Sequence, residues 1–416
     1  MNVPKLRFKE FSGVWKENNI KGISTKITDG THDTPKPAES GIPYLTAIHI
    51  KDGYLDFPNC YYLPEEEHNK IYKRCNPEFG DLLLVNIGAG TGTVSMVKVN
   101  FEFSLKNVAL IKPNRDIIKP EFLYQIQHMN CKKLNHKLTS GGAQPFLSLK
   151  EIAKIKLNLP LKQEQEKIAS FLTSVDTKIE QLTKKEELLQ QYKKGVMQKI
   201  FNYENRKAKD NCSSLVDSEP KAMCESTAGG IRFKADDGSE FCDWEEKKVK
   251  DIFDITRGNV LSMTLVTEKK DNYNIYPVYS SQTKNKGLSG YFDKFLFENC
   301  ITWTTDGAGA GDVNYRDGKF YCTNVCGVLK SNQGYANQFI AELLNTISRK
   351  YVSYVGNPKL MNNVMAEIKI FIPKEIQEQT KISNFLSSID TKIEQVQKQL
   401  DFTKEFKKAL LQQMFV

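Results

Sequence analysis

Histidine is scarce and one-sided in this chain of 416 residues: there are five, at positions 32, 49, 68, 128 and 136, and the second half has none. A site that recurs along the chain therefore cannot rest on histidine, whether as metal ligand or as general base. Cysteine is more abundant, but its spacing is empty of motifs: the nine residues (60, 75, 131, 212, 224, 242, 300, 322 and 326) include no CxxC pair, so a metal site is not expected. The nearest neighbours, Cys322 and Cys326, fall in the run KFYCTNVCGVLK, which reads as one strand carrying both thiols on the same face. Long apolar runs are also missing. Nothing approaches the roughly 18 uninterrupted apolar residues a bilayer span needs, and the amino terminus, MNVPKLRFKEFSGVW, has no signal-type apolar core, so a cytoplasmic chain without a membrane partner is expected. There is no G-x-x-x-x-G-K-S/T loop and no Asp/Asn-Pro-Pro-Tyr/Phe segment, which excludes a Walker ATPase and an amino-methyltransferase from this chain.

The charge balance leans basic, with 59 Lys and Arg against 50 Asp and Glu and a net charge of +9. That suits a polyanionic partner, although solubility alone accounts for it equally well.

What the chain does have is a repeat. KQEQEKIASFLTSVDTKIEQ (Lys162 to Gln181) returns as IQEQTKISNFLSSIDTKIEQ (Ile376 to Gln395), and the register holds without a gap from Lys162–Phe201 to Ile376–Phe415, with about half the positions identical. The period is far longer than a solenoid unit, so a whole module has been duplicated and two-fold logic is built into one chain. Each copy opens on a similar segment, LRFKEFSGVW from Leu6 and IRFKADDGSEFCDW from Ile231. Each holds a glycine loop, GAGTGTV from Gly88 and GAGAGDV from Gly307, and each closes on an alternating run that ends at Pro160 or Pro373. FLYQIQHMNCKKLNHKL and QFIAELLNTISRKYVSYV occupy equivalent places and read as helices, so each domain is a mixed α and β fold with predominantly antiparallel pairing.

After each closing proline the period becomes that of a long helix. Ile168, Leu172, Val175, Ile179 and Leu182 step by four and three, as do Ile382, Leu386, Ile389, Ile393 and Val396. Farther on the stripe reads as shifting to Leu188, Leu189, Tyr192, Val196 and Ile200, matched by Leu400, Phe402, Phe406, Leu410 and Met414. Helices of this length, roughly 55–60 Å, need partners. The resulting division is residues 1–160, a helix over 161–201, a polar linker over 202–230, a second domain over 231–373 and a closing helix over 374–416.

The glycine loops lack the strand-turn-helix setting of a dinucleotide site, since β-type sequence follows them; a tight hairpin, or a backbone that approaches a ligand closely, is expected. The repeated Asp-Thr-Lys (Asp176 to Lys178, Asp390 to Lys392) lies inside the heptads with no second carboxylate cluster, so it reads as solvated helix charge and not as a nuclease centre. Polar, basic loops that differ between the copies remain. They place donors suited to phosphates or base edges at Thr31, His32, Lys36, Lys133 and Gln144 in the first copy, and at Ser281, Gln282, Lys284, Thr305, Lys359 and Asn362 in the second.

Taken together, the L/I-R-F…W openings, the GAGxGxV loops, the closing prolines and the doubled QEQ-x-KI-x-x-FL-x-x-x-D-x-K-I-E helices resemble the specificity subunit of type I restriction-modification systems, over essentially the whole chain outside the linker. The resemblance implies an α+β fold of two target-recognition domains separated by two helices in an antiparallel coiled coil. It implies a non-enzymatic subunit that reads a bipartite, asymmetric site in double-stranded DNA. It also implies recruitment of two adenine-methylating modification subunits and of restriction (translocase) subunits, with S-adenosylmethionine, ATP and Mg on those partners only, and no cofactor or metal on this chain. A two-domain coiled-coil scaffold for protein partners is the alternative reading.

Overall fold

The computed structural model describes residues 3–88, 90–138, 146–201 and 232–415, with the backbone alone for 131–138. The segment read as a linker and Gln144 lie outside the described residues. Two compact units result, one from the residues up to Lys184 together with those from Gln397 onward, the other from Lys185 to Val396.

The first unit holds β1 (Lys16–Asn19), β2 (Ser24–Asp29), β3 (Ile42–Thr46), β4 (Ile50–Lys51), β5 (Tyr54–Leu55), β6 (Tyr61–Leu63), β7 (Leu82–Val85), β8 (Val94–Met96), β9 (Ser104–Lys106), β10 (Val108–Pro113) and β11 (Lys156–Leu159), with helices α1 (Glu65–Tyr72), α2 (Pro120–Leu138) and α3 (Leu149–Lys154). A sheet in the order β2-β10-β7-β8 lies beside a smaller β6-β3-β9 sheet. Every side chain of the run Leu82–Val85 is buried, because both faces of the larger sheet are covered. Leu82 and Leu84 join Ala109 and Ile111 in the core that includes Phe122 and Ile126 of α2. Leu83 and Val85 join Val108 and Leu110 in a second core with Leu45 and Leu105. Pro120 opens α2, where its missing N–H costs nothing. The Ser148–Glu151 capping box starts α3.

From chain position 162 the first long helix, α4 (Lys162–Phe201), serves both units. The second unit holds β12 (Trp244–Lys248), α5 (Val249–Ile252), β13 (Asp254–Arg257), β14 (Tyr276–Tyr279), β15 (Leu288–Phe292), β16 (Phe297–Thr304), β17 (Val313–Cys322), β18 (Cys326–Lys330), α6 (Gln338–Ile347), α7 (Asn362–Glu367), β19 (Lys369–Pro373) and part of α8 (Ile376–Met414). Its main sheet runs β13-β18-β16-β17-β14-β15. Among the described strands pairing is antiparallel except β3 with β9 and β14 with β17, in line with the predominantly antiparallel pattern expected. Two expectations fail here. KFYCTNVCGVLK is not one strand: it is the end of β17 and the whole of β18, with Cys326 N–H closing a turn onto Thr323. The helix predicted over QFIAELLNTISRKYVSYV stops at Ile347, where Ser348 turns its hydroxyl to the Gly311 carbonyl at 2.6 Å and Val352 drops into the core.

The repeated motifs acquire a structural cause. In both units the opening strand pairs with the closing one, Lys16 opposite Leu159 and Trp244 opposite Pro373. Buried beneath each pair is a glutamate of the long helix's QEQ segment. Arg7 donates to both oxygens of Glu164 at 2.7 and 2.8 Å, and the Trp15 indole donates to Oε1 at 3.4 Å. In the second unit Trp244 donates to Glu378 at 3.1 Å and Arg232 at 3.5 Å. The adjacent glutamines donate to the closing proline carbonyls, Gln165 to Pro160 at 3.1 Å and Gln379 to Pro373 at 2.9 Å. A charge taken out of water needs an ionic and hydrogen-bonding partner of this kind, so R-F…W and QEQ recur together because they clamp each domain to its helix.

Along the helices, Ile168, Leu172, Val175 and Leu182 are buried in the first unit with Ile179 half-buried, and Ile382, Leu386, Ile389 and Val396 are buried in the second with Ile393 half-buried. Beyond them the predicted shift of the stripe does not occur: Leu188, Tyr192, Phe402 and Phe406 are exposed. The heptad simply continues, through Leu189, Val196 and Ile200 and through Leu400, Leu410 and Met414, and accepts a lysine at one core position in each helix. Lys407 is 9% exposed and pairs with Asp176 at 2.5 Å in the first unit, and its repeat equivalent Lys193 pairs with Asp390 at 2.8 Å in the second. The aspartates of Asp-Thr-Lys are thus ion-paired and half-buried instead of solvated, and Gln125 also donates to Asp176 at 2.7 Å.

Candidate nucleic-acid interface

Both glycine loops are tight connections between adjacent antiparallel strands, β7 to β8 and β16 to β17. Gly88, Gly92, Gly307 and Gly311 all have φ near +90°, which side chains resist, and they let Gly92 N–H reach the Val85 carbonyl and Gly311 N–H the Thr304 carbonyl. In the second unit this turn is the keel on which three other loops converge. Gly309 lies against Thr283 and the Ser281 carbonyl, Gly307 N–H donates to the Pro358 carbonyl at 3.0 Å, and Arg349 pairs with Asp312 at 2.5 Å. Loops scattered over some eighty residues of sequence thereby form one surface.

The predicted donors fall differently on it. Gln282 and Lys284 are exposed, Ser281 is half-exposed, and the Gln282 amide donates to the Leu288 carbonyl across its own loop. Lys359 is exposed, with Asp306 at 3.9 Å, too loose to hold it. Asn362 accepts from Arg257 at 3.0 Å and is tied to the scaffold. Thr305 is fully buried, and its hydroxyl serves the Val325 carbonyl at 2.9 Å, so it shapes the turn and faces no solvent.

Arg316 of β17 gave no signal in the sequence, because an arginine inside a strand reads as a surface charge. It is 7% exposed, stacks on the Tyr279 ring at 3.7 Å, and donates to Thr302 at 2.9 Å and to the Lys286 carbonyl at 2.7 Å. Burial pulls its pKa down, against a smaller opposing pull from Tyr279. Above it Asn285, Lys286 and Gly287 stand at φ 50°, 51° and 87°, three consecutive left-handed residues that the guanidinium holds by the middle carbonyl.

In the first unit, Thr31 is half-exposed and pairs as an isolated bridge with Lys106, while its hydroxyl accepts from Asp33 N–H at 3.1 Å. The exposed His32 has both ring nitrogens engaged, Nδ1 with Asn107 at 2.9 Å and Nε2 with Asp29 at 2.9 Å. Lys36 is exposed, and Lys133 lies on α2 where the backbone alone is described. The other described histidine side chains are engaged too, His49 with Thr46, His68 with Ser104 and His128 with Asp52. Cys300, Cys322 and Cys326 share one buried cluster, and burial raises all three thiols, that of Cys326 to about 11. Thiols held protonated are poor ligands and nucleophiles. Among the described residues no group of His, Cys, Asp and Glu has the geometry to hold a metal, and no helix is long and apolar enough to cross a membrane.

Two diverged loop surfaces, each set on the same clamp and helix, match the organisation of one domain family: the model of the type I restriction modification DNA specificity domain fits residues 13–190 and again 242–401. The chain belongs to that family. Over 145 residues, 34% of this specificity-family chain and 75% of its counterpart, it is 46% identical to the amino-terminal part of a Mycoplasma pneumoniae chain named as a type I specificity subunit. Over 278 residues, 63% of this chain and 89% of the other, it is 32% identical to a second M. pneumoniae chain so named. The crystal structure of a type I S subunit from M. genitalium shares its fold at a TM-score of 0.68 and 17% identity, covering 100% of this chain and 99% of that one.

Proposed function

We propose that this chain is the non-catalytic DNA-specificity subunit of a type I restriction-modification complex, reading one half of a bipartite, asymmetric double-stranded site with each unit. The observation that carries the reading is the doubled clamp and ion pair beneath two unlike loop surfaces. What is repeated, Arg7–Glu164–Trp15 with Arg232–Glu378–Trp244 and Asp176–Lys407 with Asp390–Lys193, is scaffold. What differs is the polar and basic surface each scaffold presents, as expected where two half-sites differ in sequence. Each unit holds the beginning of one long helix and the end of the other, the pairing that an antiparallel coiled coil requires. Such a coil would set the spacing between half-sites.

Recruitment of two modification subunits fits the apolar side chains left outside the heptad core. Leu188 and Tyr192 in one unit and Phe402 and Phe406 in the other occupy equivalent repeat positions and are exposed. In this reading S-adenosylmethionine, ATP and Mg belong to the partner subunits. Sequencing the methylome of the host with and without the gene tests the proposal. A bipartite methyladenine motif should vanish with the gene, and replacing residues 1–160 by a relative's equivalent should change one half of that motif. An unchanged methylome, or a swap that alters both halves, would refute it.

A further inference from the structure

Tyr354 and Val355 have no folding reason to be where they are. Ser353 and Lys359 exchange both backbone hydrogen bonds at 2.9 Å, so residues 353–359 form a small ribbon turned at Gly356, whose φ is +75°. The base of the ribbon is firmly seated. Val352 and Leu360 are buried, the Trp303 indole donates to the Leu360 carbonyl at 3.0 Å, Leu360 N–H donates to Thr305, and Gly307 N–H donates to Pro358. From this rigid base the tip stands out with Val355 92% and Tyr354 69% exposed. Single exposed apolar residues are ordinary, but these two are carried at the end of a narrow, anchored arm on the surface where the other loops converge. The segment that carries them has charge of one sign only: from Ser348 through Val364 there are Arg349, Lys350 and Lys359 and no acidic residue. The acids that do approach from the neighbouring loop, Asp306 and Asp312, are the ones already facing Lys359 and Arg349.

An apolar tip flanked by cations suits a partner whose charge lies at the rims of a groove and whose floor is uncharged. Duplex DNA has that form, with phosphates outside, base edges and thymine methyls within, and base steps that admit apolar wedges. Building on the DNA reading above, we propose that the 353–359 ribbon enters a groove of the half-site read by the second unit, with Tyr354 and Val355 in apolar contact with its base pairs. Lys359, and the cations beside it, would meet the flanking phosphates.

The test uses the full chain assembled with its modification subunits, titrated at several salt concentrations against duplexes carrying the mapped motif and single mismatches. Tyr354→Ser with Val355→Ser should weaken binding to the matched duplex about tenfold and abolish discrimination at one or two adjacent pairs of one half-site. The salt dependence and the melting temperature should stay those of the wild type, since no phosphate contact and no buried contact is removed. Lys359→Ala should do the reverse, weakening all sequences alike and reducing the salt slope by about one phosphate. Unchanged affinity and discrimination in the double variant would overturn the ribbon's role while leaving the DNA reading intact, as would a loss confined to capture of a protein partner. Absence of sequence-specific binding by the wild-type complex would overturn both.

Discussion

Removing the Glu164 carboxylate is the sharpest perturbation of the scaffold. The side chain is 1% exposed and accepts from Arg7 through two bonds and from the Trp15 indole. Breaking a buried ion pair from one side costs about 3–5 kcal/mol, because the surviving charge is left without its partner. Here the cost sits at the low end: Arg7 keeps the Gly13 and Ser12 carbonyls at 2.6 and 3.0 Å and is itself 14% exposed. Trp15 loses its acceptor, worth about 1 kcal/mol. Glu164→Ala should therefore destabilise the first unit by about 4 kcal/mol. Two residues along the same helix, Glu166 pairs with Lys119 in the open, 64% exposed, and its removal should cost less than about 1 kcal/mol. Replacing both clamp charges, Arg7→Met with Glu164→Met, should recover most of the loss, since no buried charge is then stranded. Native-state hydrogen exchange of Lys16–Asn19 and Lys156–Leu159 reads this clamp directly, with Trp244–Lys248 of the second unit as internal reference. Equal protection in Glu164→Ala and Glu166→Ala, or no recovery in the double variant, would refute the clamp.

Arg316→Lys, which can neither stack flat on Tyr279 nor make both of its bonds, should destabilise the second unit by about 2–3 kcal/mol and open the loop above it to trypsin at Lys284 and Lys286. Gly311→Ala should cost about 2 kcal/mol or more in thermal melting, since φ is +88° and the added Cβ would meet Val352 at 2.9 Å. Lys193 is pulled down by burial, but Glu342 and Asp390 outweigh that and hold it above its unfolded value of 10.5. Its contribution is therefore complete below that pH and lost as pH rises through the raised folded value, and Lys193→Met should flatten the alkaline limb of a stability curve followed by circular dichroism.

The duplication, the two long helices, the glycine hairpins and the mainly antiparallel domains were legible in the sequence, because each rests on local periodicity or on a backbone conformation that only glycine adopts readily. The amphipathic stripe was legible only while its core positions were apolar. At Lys193 and Lys407 pattern reading slid to the aromatics beside them, since nothing local tells a buried lysine from a solvated one; an aspartate 197 residues away in the first case and 231 in the second decides it. The recurrence of R-F…W and QEQ was visible, but its cause was not, because Arg7 and Glu164 meet only when the opening and closing strands pair. The environment of individual loop side chains was the least legible. Thr305 and Asn362 looked like free donors and are tied into the fold, whereas Arg316, which no sequence pattern singled out, holds a strained loop from beneath. Tyr354 and Val355 read as helix and stand at the tip of a ribbon. Local sequence determined which segments became strands, turns and helices; only the tertiary structure, through burial and partners distant in the chain, decided which polar side chains were left to face a ligand.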